Sequence, residues 1–157
     1  MYIINKKEDY LYRPNVGCVI LHNKNIFVAR RIASEANVWQ MPQGGIMENE
    51  QLEHALFREL MEEIGTNNVK ILQESKYQRY YKIPQSLIGQ AWEGKYIGQK
   101  QKWFLVEFAG RDDEININTP EPEFCEWKWM SVADVLKHAV HFKKDIYHDV
   151  FAEFNIL

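Results

Sequence analysis

Asn15 to His22 (NVGCVILH) is a near-continuous apolar and β-branched run, the pattern of a strand buried on both faces. A polar turn at Asn23-Lys24-Asn25 separates it from a second run, Ile26 to Arg30, so the two are expected to pair as a hairpin. The period then changes. Leu52, Leu56, Leu60 and Ile64 recur at i, i+4, the spacing of a buried helical stripe, and with Phe57 they span an arc of about 140°. Gly65 follows, a residue that can take the positive φ a helix stop requires. Val69 to Glu74 and Tyr77 to Ile83 read as strands, the second by its richness in β-formers, and a loop from Pro84 to Gly94 carries Trp92. Phe104 to Ala109 and Glu126 to Met130 are two more strands. Ser131 is placed to cap a helix reaching about Val140. A last helix, Asp145 to Phe154, presents Ile146, Val150, Phe151 and Phe154 as its packing face. Strands around one helix, with further helices at the C-terminal end, imply an α/β fold with a mixed sheet between helices.

The polar side of the long helix changes the picture. Glu59, Glu62 and Glu63 fall within an adjoining arc of about 100°, and Glu63 projects between Leu52 and Leu56 at the edge of the apolar stripe. Like charges at i, i+3 and i+4 repel, and the helix dipole disfavours anions in the last turns. Solvated acidic faces are the ordinary explanation of Glu-rich helices. Carboxylates set beside a hydrophobic seam instead suit a hard divalent cation, Mg²⁺ or Mn²⁺.

The chain of 157 residues is long enough for one domain, residues 1–157, with a sizeable core. With 46% hydrophobic and 26% charged residues it has the composition of a soluble globular protein, and a net charge of −3 excludes a global basic field. Any RNA contact must therefore come from a local basic patch; no DNA sequence reader and no membrane span are expected. Cys18 and Cys125 match no metal spacing, the N-terminal stretch to Pro14 carries no signal-peptide pattern, and the expected setting is the cytoplasm. Arg30 and Arg31 are adjacent on a strand, so at most one of them reaches a given cleft.

Gly44, Glu50, Arg58-Glu59-Leu60, Glu62-Glu63 and Gly65 stand at the spacing of the Nudix box, and residues 44–66 resemble it except that Thr66 replaces the usual aliphatic residue. That resemblance implies a hydrolase of nucleoside diphosphates linked to another group, built as an α/β/α sandwich. Three further stretches, WQMPQGG (39–45), YIGQKQKWF (96–104) and PEFCEWKW (122–129), resemble the branch of bacterial RNA pyrophosphohydrolases and dinucleoside polyphosphate hydrolases.

The resemblance implies that Glu59, Glu62, Glu63 and Glu123, with the Gly44 carbonyl, hold two or more Mg²⁺ or Mn²⁺ ions. Arg58 orients carboxylates, Glu50 supports them, and either Glu63 or Glu123 is the general base. Substrate contacts are expected from Arg13 and Arg31, from Trp39 and Gln43 ahead of the box, and from Tyr81, which a half-exposed strand explains equally well. Tyr96, Gln99, Lys100 and Lys102 are expected as donors to phosphate just before a strand end. Val140, Phe142 and Lys143 match a turn bordering the nucleotide pocket, with His141 in place of a small polar residue, which leaves the base preference open. The first expectation for substrate is 5′-triphosphorylated RNA, converted to a 5′-monophosphate end. The alternative is a diadenosine tetra- or pentaphosphate. A third reading, a non-catalytic nucleotide-binding module, sits poorly with a complete set of box glutamates.

Overall fold

The fold is built outward from β1 (Tyr12–His22), whose alternation sends Val16, Cys18 and Ile20 to one face of the sheet and Val19 to the other. The structure is a computed structural model and describes residues 6–34 and 37–157. Residues 1–5 of the stretch read above for a targeting signal lie outside the described residues. β6 (Gly98–Phe108) runs parallel to β1 from Tyr12↔Gly98 to Leu21↔Glu107. β2 (Asn25–Arg31) returns through a hairpin with φ of 49° at Asn23 and 67° at Lys24, the left-handed pair that matches the twist of the flanking strands.

β1 and β2 pair only at Leu21↔Ile26 and His22↔Asn25 before they diverge. The chain ahead of the box fills the wedge between them. Gln40 bridges Ala29, the Cys18 N–H donates to the Pro42 carbonyl at 3.0 Å, and β3 (Gln43–Gly45) lies antiparallel to β1. β4 (Val69–Glu74) and β5 (Arg79–Lys82) are antiparallel to β6, and β7 (Phe124–Met130) is antiparallel to β2. The main path of the mixed sheet is β4-β6-β1-β2-β7.

Helix α1 (Leu52–Ile64) covers one face, packing Ala55, Leu56, Leu60 and Ile64 with Val16, Cys18, Phe104 and Val106. Helices α2 (Val132–His138) and α3 (Lys144–Glu153) cover the other, where Val135, Tyr147, Val150 and Phe151 join Val19, Val28, Trp103 and Leu105. This is the expected α/β/α sandwich. Ser131 caps α2 by accepting the Asp134 N–H at 3.2 Å. Gly65 ends α1 at φ 74°, and a Cβ there would come within 2.7 Å of the Asn116 carbonyl oxygen. Thr66 is buried, and its hydroxyl accepts the Asn68 N–H at 3.1 Å, so a polar residue is tolerated where an aliphatic one is usual.

Two expectations need correction. β6 begins at Gly98, not Phe104, because Gln99 and Gln101 occupy buried positions normally taken by apolar residues. β5 is confined to Arg79–Lys82, since only that part of the predicted strand pairs with β6. The segment Gln43–Gly45 forms a short strand.

Candidate active site

The site lies where the sheet splays and α1 meets β3. Glu59 and Glu63 are four residues apart on α1 and so share one helical face. Glu63 is 5% exposed, and its Oε2 is buried with no hydrogen-bond partner among the described residues. Burial first, then the charges of Glu123 and Glu59, push its pKa well above the ordinary carboxylate range, with Arg31 opposing. Glu59 lies beneath β3, and burial raises its pKa against the hydrogen bond from Arg58.

Arg58 organises this wall. Its Nε and Nη2 donate to the two Glu50 oxygens at 2.7 and 2.8 Å, and Nη2 also reaches the Gly45 carbonyl at 2.8 Å. Nη1 donates to Glu59 at 2.9 Å and to Glu62 at 3.0 Å. Glu50 additionally accepts the Met47 N–H at 3.0 Å and contacts His54 at 2.9 Å. The Arg58 hydrogen bonds, ahead of those from Met47 and His54, hold the Glu50 pKa down at about 2.

The facing wall comes from several other parts of the chain. The Ile32 N–H donates to the Glu123 carbonyl at 3.0 Å, which ties the Pro-rich approach to the end of β2 and brings Glu123 beside Glu63. Arg30 turns away to pair with Glu126 at 3.2 Å, whereas Arg31 is the arginine that acts on Glu63, Tyr81 and Lys143. Lys143 is 6% exposed and makes no ion pair among the described residues. Burial and then Arg31 lower its pKa to about 8, with Glu63 opposing. Phe142 lies 5.8 Å from the Tyr81 ring, and the Lys143 Nζ lies 5.8 Å from the same ring. Arg13 donates to Gln99 at 3.3 Å and sits over Trp92 at 5.7 Å, with Tyr96 edge-on to Trp92 at 6.2 Å. Val140 accepts the Lys143 N–H at 2.9 Å and so starts the turn His141–Lys143.

Not every expected residue joins. Glu62 stays at the solvent edge of the wall: it shares the Arg58 Nη1 with Glu59, and its side chain is 55% exposed. Among the described residues, no three acidic, imidazole or thiolate side chains form a ready-made metal cage. Trp39 belongs to the core with Met41 and Trp103, and its ring is covered by Lys128 at 4.2 Å. Strand alternation puts Lys102 on the face opposite Gln99 and Gln101, where it donates to the Ser75 carbonyl at 2.6 Å. Asn15 and Gln101 were missed. Both are 1% exposed and hydrogen-bonded to one another at 2.9 Å; for Gln101 the signal was a Gln at every second position of GQKQKW.

Gly44 packs directly against the acidic wall. A Cβ there would sit 1.9 Å from Glu59 Cδ, and Arg58 keeps that carboxylate from yielding. Gly44→Ala is expected to destabilise the fold by about 1–3 kcal/mol and to displace Glu59. A thermal melt and a hydrolysis assay check both; an unchanged Tm and rate would show that the carboxylate swings aside freely.

Residues 11–150 match the NUDIX domain, and the chain belongs to that family. It is 48% identical over 151 residues to the RNA pyrophosphohydrolase of Wolbachia pipientis subsp. Culex pipiens, covering 94% of this chain and 92% of the relative. It is 45% identical over 153 residues to the RNA pyrophosphohydrolase of Rickettsia conorii, covering 97% and 95%. In fold it resembles the E. coli dihydroneopterin triphosphate pyrophosphohydrolase, with a TM-score of 0.66 at 16% identity over 92% of this chain and 99% of that one. It also resembles a C. elegans Ap4A hydrolase, with a TM-score of 0.64 at 19% identity over the same shares of the two chains.

Proposed function

We propose that this protein removes pyrophosphate from the 5′-triphosphate end of RNA, leaving a 5′-monophosphate end and so promoting decay of the transcript. Beyond the near full-length likeness to RNA pyrophosphohydrolases, one observation carries the reading: a buried Glu63 carboxylate oxygen without a partner among the described residues lies near Arg31 and Lys143, which make no ion pair among those residues.

The donor set fits a divalent cation. Glu63 is crowded by Glu59 and Glu123 and has an oxygen left over, an arrangement that is unfavourable for carboxylates alone. Glu59, Glu63 and Glu123, with Glu62 and the Gly44 carbonyl, would hold Mg²⁺ or Mn²⁺, in two or more ions. Bound there, such ions neutralise phosphate charge and acidify the attacking water.

The chain's own residues supply the rest. Arg58 fixes Glu59 and the β3 backbone in place. Arg13, Arg31 and Lys143 receive the anionic phosphates, and Phe142 with Val140 borders the base. Glu63 or Glu123 accepts the proton of the attacking water. Arg13 beside Trp92 and Tyr81 beside Phe142 offer two aromatic positions, which favours a second reading, hydrolysis of a dinucleoside polyphosphate.

Incubation of 5′-triphosphorylated RNA with the protein and Mg²⁺ is expected to yield monophosphate ends and free pyrophosphate. Ends left intact at high enzyme concentration reject the reading, and kcat/KM measured side by side on diadenosine tetraphosphate ranks the two substrates.

A further inference from the structure

The buried amides beside the cleft form a closed ring with a direction. Trp103 is fully buried, and its indole N–H, which can only donate, points at Gln101 Oε1 at 3.2 Å. That fixes which end of the Gln101 amide is oxygen, so both its N–H protons face the other way. One arm runs from Gln101 Nε2 to Asn15 Oδ1 at 2.9 Å, from Asn15 Nδ2 to Gln99 Oε1 at 2.7 Å, and from Gln99 Nε2 to the Tyr81 hydroxyl at 2.6 Å. The other runs from Gln101 Nε2 to Gln43 Oε1 at 2.5 Å and from Gln43 Nε2 to the same hydroxyl at 3.5 Å.

A second donor-only group sets the same direction. The Arg13 guanidinium donates to Gln99 Oε1, so reversing Gln99 would place its amino group against both Arg13 and Asn15. The ring therefore cannot be inverted without leaving buried donors facing donors, at a cost of a lost hydrogen bond for each. Both arms end on one oxygen. The Tyr81 hydroxyl accepts from each arm, and its own proton has no acceptor among the described residues. The charged groups acting on it, Arg13 and Arg31, are cations, as is Lys143 beside its ring. Burial raises the Tyr81 pKa, which keeps the hydroxyl protonated at neutral pH.

We propose that Trp103, Gln101 and Asn15 are positioning residues whose amide ring commits Tyr81 to donate its hydroxyl proton to an anionic phosphate oxygen of the substrate. This rests on the reading of the cleft as a polyphosphate site. An amide cluster serving the fold alone has no reason to share its effect with Tyr81.

The test is a double-mutant cycle on 5′-triphosphorylated RNA. Tyr81→Phe is expected to raise KM by about tenfold while kcat changes much less, the effect of losing one hydrogen bond to a charged group. Gln101→Met, similar in shape but unable to donate, is expected to raise KM similarly. The double variant is expected to be no worse than Tyr81→Phe alone, because the ring acts only through that hydroxyl. Multiplying effects, or a fall in kcat without a change in KM, overturn the proposal. Asn15→Leu interrupts one arm and serves as a second cycle.

Should a variant fail to fold, the wild-type protein decides. The Tyr81 hydroxyl proton resonance is expected to move downfield when inorganic tripolyphosphate is added without metal, and a resonance that stays put overturns the donor role. Loss of the proposal alone looks different from loss of the functional reading: in the first the wild-type protein still hydrolyses RNA, and in the second it does not.

Discussion

Glu63→Gln, alone or with Glu62→Gln, is expected to lower kcat by about three orders of magnitude or more, the consequence of losing several kcal/mol of charge stabilisation at phosphorus. The same substitution is expected to leave the metal-free fold as stable as before, or more so. Glu63 is a buried carboxyl with one unpartnered oxygen and two acidic neighbours, so neutralising it relieves repulsion. Activity and stability then move in opposite directions, the mark of a residue kept for chemistry. Its pH signature follows from the raised pKa. A carboxyl that holds its proton more tightly folded than unfolded contributes stability fully below its ordinary value of 4.5. That contribution is lost as pH rises through the elevated folded value. Melting curves of the metal-free protein should therefore fall with rising pH in the wild type and less so in Glu63→Gln. The single variants also separate the two glutamates. Glu62 is half-exposed and tied to Arg58, so Glu62→Gln is expected to cost less than Glu63→Gln. Wild-type turnover in the double variant would remove the acidic wall from the mechanism.

The backbone of this arrangement was legible in the sequence because its signals are local. The i, i+4 stripe of α1, the Gly65 stop and the polar turn between two β-branched runs each depend on neighbours in the chain. That at most one of Arg30 and Arg31 reaches a given cleft followed from strand alternation; in the structure Arg30 pairs with Glu126 and Arg31 acts on Glu63. What was not legible depended on three-dimensional pairing. Lys102 reads as a phosphate donor in a loop, but once Gly98–Phe108 is one strand the same alternation carries it to the opposite face. Trp39 precedes the box in sequence, yet the wedge between β1 and β2 draws it into the core. Gln99 and Gln101 hide a strand because buried polar residues are rare unless they satisfy one another, and their partners Asn15, Gln43 and Tyr81 are distant in the chain. Glu62 was grouped with Glu59 and Glu63 by their shared arc, but it lies at the end of that arc farthest from the apolar stripe, and its side chain is 55% exposed.

Arg58→Met is the substitution expected to cost most in stability. Its guanidinium uses its donors on two carboxylates that are largely shielded from water, Glu50 at 7% and Glu59 at 16% side-chain exposure, and on the Gly45 carbonyl. Removing it leaves those charges without their partner, a loss of about 3–5 kcal/mol for a broken buried pair, or a fall in Tm of roughly 6–20 °C for a chain of this size. Glu59 and the β3 backbone lose their anchor together, so activity at permissive temperature should fall by about 10- to 100-fold. Arg58→Lys is expected to restore little, because an ammonium cannot span Glu50, Glu59 and the carbonyl at once. The pH dependence identifies the partner responsible. Glu50 has its folded pKa depressed to about 2 from 4.5, so the stability it gains from Arg58 is present above 4.5 and lost as pH falls toward 2. The stability gap between wild type and Arg58→Met should accordingly be widest near neutral pH and narrow across that acid range. A gap that stays constant down to acid pH would mean that the Met47 N–H and His54 hold Glu50 unaided, and that Arg58 acts through the uncharged Gly45 carbonyl.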